Sequence, residues 1–146
     1  MTRAFSRGLD VLLVEDNPAD IVLTEEAFAL GASPSTLRSA SDGEEALTVL
    51  RGPAGELPDL ILMDVNMPRL GGLETLAQLK ADPDLRHIPV VMLTTSSDPR
   101  DIDQAYALGA NAFVTKPVNL PDFLQVVEQL LSFWSSLATL PSRRMR

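Results

Sequence analysis

The sequence predicts a doubly wound α/β domain: a five-stranded parallel sheet in the order 2-1-3-4-5, with five helices packed on its faces. Three observations lead there. Short apolar runs alternate strictly with longer stretches of helical spacing, the pattern of a parallel sheet with crossover helices. Each apolar run is continuous rather than alternating, as a strand buried on both faces requires. Capping and breaking residues stand between the elements, and right-handed crossovers leave few ways to join such units, of which 2-1-3-4-5 is one.

The elements follow in order. Val11 to Val14 is an apolar run that stops at Glu15-Asp16. Asn17 is placed to cap a helix whose first position is Pro18, where the missing N–H costs nothing, and Gly31 ends it. Thr36 to Ala40 reads as a weak strand, Ser41-Asp42-Gly43 as a turn, and Glu44 to Arg51 as a short helix with Ala46, Leu47 and Leu50 on one side. Gly52, Pro53, Gly55 and Pro58 mark a loop before the strand Leu60 to Met63, which ends at Asp64. Gly71-Gly72 opens a helix through Lys80. Val90 to Leu93 is the fourth strand, ending at Thr94; Asp98-Pro99 starts a helix that Gly109 stops. Ala112 to Val114 leads to Thr115-Lys116-Pro117, and a last helix spans about Leu120 to Leu137. The lone His87, between a charged stretch and Ile88-Pro89, reads as a solvent-facing loop residue.

A chain of 146 residues suits one compact domain. Its formal net charge of −8 disfavours direct nucleic-acid binding, which depends on Lys and Arg neutralising phosphates. The absence of cysteine removes disulfides, thiolate metal sites and thiol nucleophiles, and agrees with a cytoplasmic location. No segment approaches the roughly 20 apolar residues of a membrane span. The expected organisation is an N-terminal arm over 1–9, one domain over 10–137 and a tail over 138–146 whose Arg143, Arg144 and Arg146 read as a disordered, solubilising end in preference to a docking segment.

In a parallel sheet all carboxyl ends share one rim, and ligands bind there at the switch point of the strand order. The rim collects Glu15 and Asp16 after the first strand, Asp64 after the third, Thr94 after the fourth and Lys116 after the fifth. Three carboxylates in one crevice repel each other unless a cation intervenes, and an all-oxygen site with open water positions suits Mg²⁺. A carboxylate can form an aspartyl phosphate. Phosphoryl transfer needs neutralisation of the equatorial oxygens, which a metal, a lysine and a hydroxyl provide. Each of these residues alone is an ordinary strand-end or turn residue; their joint occurrence in this order is what carries the reading.

The chain resembles the receiver domains of bacterial response regulators. The resemblance lies in Val14-Glu15-Asp16-Asn17, Asp42-Gly43-Glu44-Glu45-Ala46-Leu47, Asp64-Val65-Asn66-Met67-Pro68, Gly71-Gly72, Leu93-Thr94-Thr95, Gly109-Ala110-Asn111-Ala112-Phe113 and Thr115-Lys116-Pro117. A finer likeness, to the small phytochrome-associated regulators, rests on Glu15-Asp16-Asn17-Pro18-Ala19-Asp20, Thr94-Thr95-Ser96, Phe133-Trp134 and Ala138-Thr139-Leu140-Pro141. The resemblance implies a flavodoxin-like receiver fold and a phosphoryl group accepted on Asp64 from a sensor histidine kinase, with a bacteriophytochrome as the candidate kinase. It implies Mg²⁺ held by Glu15, Asp16, Asp64 and the backbone carbonyl of Asn66. Lys116 and Thr94 would contact the phosphoryl group, Thr94 and Phe113 would form the switch, and the Lys116–Pro117 bond would be cis. Such a protein modifies only itself and signals by contact.

One departure is Thr95, where the broad family often has a smaller residue; its bulk is expected to narrow access to the acyl phosphate. Phe113 lacks the hydroxyl of a switch Tyr, so only burial of its ring can report the state. A phosphatase of the haloacid dehalogenase type would carry an Asp at position 66, where this chain has Asn66. A receiver fold used only as a binding module would not need the acid set and Lys116. Phe123, Val127, Leu130, Trp134 and Leu137 form a core-facing stripe on the last helix. Val126 and Phe133 lie off it, and with Trp134 they are expected to form a homodimer interface.

Overall fold

The computed structural model describes residues 8–31, 34–52 and 57–141. Five strands, β1 (Leu9–Val14), β2 (Ser35–Ala40), β3 (Leu60–Met63), β4 (Val90–Thr94) and β5 (Ala112–Thr115), alternate with α1 (Pro18–Leu30), α2 (Gly43–Leu50), α3 (Gly72–Ala81), α4 (Pro99–Leu108) and α5 (Leu120–Ser132). The strands form one sheet in the order β2-β1-β3-β4-β5, all pairs parallel. This is the doubly wound order that the sequence predicts. The first strand begins at Leu9, two residues before the apolar run, because Leu9 N–H donates to the Pro34 carbonyl and Leu9 pairs with Ser35. The segments 1–7 and 142–146 lie outside the described residues, and with them most of the expected N-terminal arm and the three arginines of the tail.

The pleat divides each inner strand between two cores. Leu12, Val14, Ile61, Met63, Val90 and Met92 face α2, α3 and α4. Leu9, Val11, Leu13, Leu60, Leu62, Val91 and Leu93 face α1 and α5. Val11, Val14, Ile61, Met63, Val90, Val91 and Met92 are fully buried, which explains why these strands are unbroken apolar runs. Deleting any one large side chain here would cost about 2–5 kcal/mol.

Asn17 and Asp98 cap helices where the sequence puts them, and Asp42, read from the sequence as a turn residue, caps α2 as well. Asn17 Oδ1 accepts from the Ala19 and Asp20 N–H groups, and Pro18 opens α1. Asp42 Oδ1 accepts from Glu45 N–H at α2, and Asp98 Oδ1 from Arg100 N–H at α4. Gly109 ends α4 in the left-handed region at φ 108°, a conformation that costs other residues a Cβ clash.

Three expectations need correction. The last helix is not a single α-helix to Leu137. It ends at Ser132 and continues as a π-helical turn over Phe133–Leu137, closed by Ala138 N–H donating to the Phe133 carbonyl. The wider turn rotates the exit, so Ser135 is buried and Leu137 is 76 % exposed. Within α5 the fully buried positions are Phe123, Val127 and Leu131, spaced by one α-turn, with Leu130 and Trp134 half-buried beside them. His87 is half-buried rather than solvent-facing, since the loop is anchored on either side of it by buried Leu85 and Ile88. Every peptide bond among the described residues is trans, Lys116–Pro117 included. The trans preference before proline is only about 0.5–1 kcal/mol, so proline at this position does not itself select the isomer.

Candidate metal and phosphoryl site

Strand register builds the site. Val14 stands opposite Met63, and the Asp64 N–H donates to the Val14 carbonyl at 3.0 Å, so Glu15 and Asp64 leave adjacent strand ends together. Thr94 stands opposite Thr115, and the Lys116 N–H donates to the Thr94 carbonyl at 2.7 Å. Between β1 and β3 the strand order reverses, and that is the switch point where a ligand crevice opens.

Carboxylate oxygens of Glu15, Asp16 and Asp64 lie within 4.8 Å of one another. Glu15 is buried, Asp16 exposed and Asp64 intermediate, which grades the cluster from protein interior to solvent. Asp64 Oδ1 is buried without a hydrogen-bond partner, although a buried carboxylate oxygen normally has one. An orphaned oxygen within a group of three carboxylates fits a hard divalent cation, and the protein supplies oxygen donors only. Asn66, two residues beyond Asp64, is exposed at the same rim.

Lys116 is the cation already present. Its Nζ contacts Glu15 Oε1 at 2.5 Å and Asp20 Oδ2 at 3.2 Å, and its side chain is 8 % exposed. Burial acts to lower the Lys116 pKa, but Glu15, Asp64 and Asp20 outweigh it and hold the ammonium above the ordinary lysine value. Glu15 is pushed up to about 7, chiefly by burial and also by the charge of Asp64, against the opposing pull of Lys116. Thr94 is fully buried, and its Oγ1 accepts from the Ser96 N–H at 3.2 Å, which leaves the hydroxyl proton available to a second partner. Ser96 Oγ in turn donates to Asp101 Oδ2, tying the end of β4 to the first turn of α4.

Phe113 is half-buried against the α2–α3–α4 core, and its N–H donates to Tyr106 Oη at 3.1 Å. Thr95 is exposed and lines a groove of about 500 Å³ with Asp20, Lys116, Pro117 and Leu120. Of the expected interface residues, Phe133 is 46 % exposed, while Val126 and Trp134 are half-buried; all three line one apolar groove of about 440 Å³ beside β5. The rings of Phe133 and Trp134 meet edge to face at 5.1 Å.

The sequence reading misses several contacts. Asp20 has no role in it, although its place in the first turn of α1, one turn beyond Asp16, aims it back at the rim. Arg69, at φ 62°, pairs with buried Asp42 and ties the loop after Asp64 to the α2 cap; nothing in the local pattern announces that pair. Tyr106 capping Phe113 is equally silent in the sequence, because it depends on how α4 lies along β5.

The model of the response regulator receiver domain matches residues 11–128. The response regulator Rcp1 of Synechocystis sp. is 40% identical over 137 residues, covering 90% of this chain and 92% of that one. Among solved structures, the phosphorylated cyanobacterial phytochrome response regulator RcpA superposes with a TM-score of 0.87 at 45% identity, covering 92% of this chain and 99% of its own. The Mn²⁺-bound form of Rcp1 superposes with a TM-score of 0.83 at 38% identity, with the same coverage.

Proposed function

Because the chain belongs to the response regulator receiver domain family of two-component signalling, we propose that Asp64 is its phosphoryl acceptor, with the histidine of a sensor kinase as donor. The observation that carries this is the orphaned Asp64 Oδ1 within the three-carboxylate cluster, with Lys116 and Thr94 on the neighbouring strand ends.

In this reading Glu15, Asp16 and Asp64 would hold a divalent ion through their carboxylates, and Asn66 through its backbone carbonyl. Mg²⁺ is the ion proposed. When bound it neutralises the acids and the phosphoryl oxygens. An Asp64 carboxylate oxygen attacks phosphorus, the bond to the donor imidazole nitrogen breaks, and that nitrogen keeps the electron pair and takes up a proton. The Lys116 ammonium and the Thr94 hydroxyl each contact a phosphoryl oxygen. Turning Thr94 toward the phosphoryl group gives up the Ser96 N–H bond, and so reaches α4 through Asp101; the Phe113 ring reports the change by its burial. Loss of the group is hydrolysis of the same acyl phosphate, so the only substrate is the protein itself, and Thr95 at the groove mouth slows it by crowding the approach of water.

The kinase proposed is a bacteriophytochrome, a reading supported by the likeness to the phytochrome response regulator RcpA and to a bacteriophytochrome response regulator, and the place of action proposed is the cytoplasm. No helix of the described residues is long and apolar enough to cross a membrane. Signalling proceeds by protein contact, and the groove lined by Val126, Leu130, Phe133 and Trp134 supports a homodimer built on α5. The test of the acceptor is mass spectrometry after incubation with Mg²⁺ and acetyl phosphate. The expected result is one acid-stable, base-labile phosphoryl increment on Asp64, absent from a folded Asp64→Asn variant; an increment on another residue refutes the assignment.

A further inference from the structure

We propose that Asp20 is a positioning residue that holds the Lys116 ammonium back from the phosphoryl position and so sets how tightly the site binds a phosphoryl group. The proposal rests on the reading of Asp64 as acceptor. It starts from where the ammonium points. Both polar contacts of Lys116 Nζ among the described residues are to other acids, Glu15 at 2.5 Å and Asp20 at 3.2 Å; it makes no hydrogen bond to Asp64. Two of the three ammonium donors are thus committed, and any shift of Nζ toward an oxygen on a phosphorylated Asp64 lengthens one or both of these contacts.

The two acids differ in what happens next. Glu15 belongs to the three-carboxylate cluster, so a divalent ion there compensates it when Lys116 departs. Asp20 lies outside that cluster, on α1, and its side chain is 32 % exposed. When Lys116 leaves, Asp20 has only water. Its attraction for the ammonium is therefore a cost charged against the phosphorylated arrangement alone. The contact is well placed to persist until then. Asp20 N–H is held by the Asn17 cap, and the Asp20 side chain shares the groove over Lys116 with Thr95 and Pro117. A merely helical role for Asp20, as an acid in the first turn of α1, would act on folding and not on phosphoryl affinity.

The experiment is calorimetric titration of the full chain with beryllium trifluoride, a phosphoryl mimic, in saturating Mg²⁺, for wild type, Asp20→Asn and Asp20→Ala. An ion pair between a buried ammonium and a carboxylate that is 32 % exposed corresponds to a gain of roughly two- to fivefold in affinity when it is removed. Both variants are expected to bind that much more tightly. The gain is expected to persist at 1 M salt, where repulsion between separated charges is screened beyond about 3 Å but a contact to a buried ammonium is not. Unchanged or weaker binding in both variants overturns the proposal. So does a gain that disappears at 1 M salt, which would show only general repulsion of an anion. Failure of the wild type to bind the mimic at all overturns the acceptor reading itself, and this inference with it.

Discussion

Replacing Gly72 by alanine sets two effects of opposite sign against each other. Gly72 is the first residue of α3, and its φ is unremarkable, so helix propensity and the lower entropy of the unfolded chain both favour alanine, by about 0.5–1 kcal/mol. The tertiary structure opposes this. A Cβ at Gly72 would stand 2.0 Å from the Asp64 carbonyl oxygen and 2.9 Å from Val65 Cα, far inside the 3.4 Å where ordinary contact begins. Both neighbours are backbone, so neither can rotate away, and the Gly72 N–H is committed to the Val65 carbonyl at 2.8 Å. Overpacking of this kind costs about 1–3 kcal/mol, and contact with backbone puts it at the upper end. The net expectation is a loss of about 2–2.5 kcal/mol, read as a lower urea midpoint at unchanged slope. Relief of the clash must move the Asp64 backbone, so acetyl phosphate labelling is expected to slow several-fold in protein that is still folded. Gly71→Ala is the control. Its Cβ would meet the Glu74 carboxylate end at 3.1 Å and the Val65 carbonyl oxygen at an ordinary 3.5 Å, and because Gly71 is the N-cap of α3 the loss is expected to stay below about 1 kcal/mol. A Gly72→Ala protein as stable as wild type, with normal labelling, refutes the reasoning.

Further outcomes are expected. Asp16→Ala should weaken Mg²⁺ binding at least tenfold by removing one carboxylate of the cluster, and should stabilise the ion-free protein slightly by relieving repulsion, both readable by titration calorimetry and thermal melts. The pH dependence follows from Glu15, whose folded value of about 7 lies above its ordinary 4.5. Its protonated form is favoured by folding, so this contribution to ion-free stability is full below pH 4.5 and disappears as the pH rises through 7. An incoming cation must displace that proton, and Mg²⁺ affinity should therefore rise roughly tenfold from about pH 6 to 8; a flat profile would contradict it. Phe133→Glu should convert a dimer at tens of micromolar to a folded monomer in sedimentation, and a wild type that is monomeric with and without phosphorylation would remove the dimer.

Much of this protein is legible in its sequence, for local reasons. The continuous apolar runs at Val11, Leu60 and Val90 declare strands buried on both faces, and Asn17-Pro18, Asp98-Pro99 and Gly109 mark helix ends through their own backbone preferences. Strict β-α alternation then forces every strand to point the same way, so residues at strand ends meet on one rim; that is why the sequence alone groups Glu15, Asp16, Asp64, Thr94 and Lys116. What only the tertiary structure decided is how those groups choose among partners. Lys116 lies 101 residues from Glu15 and 96 from Asp20, and its turning to both of them and not to Asp64 depends on the reach of one side chain across three elements. Gly72 reads as a plain helix opener until α3 is packed against the Asp64 backbone. The π-turn after Ser132 sends Leu137 outward although its spacing fits the core stripe, because helical periodicity assumes a turn of constant width. Periodicity and capping act within a few residues and are written in the chain; pairing between charges and contact between backbones are set by the sheet order and the packing of helices on it, which arise only when the whole chain has folded.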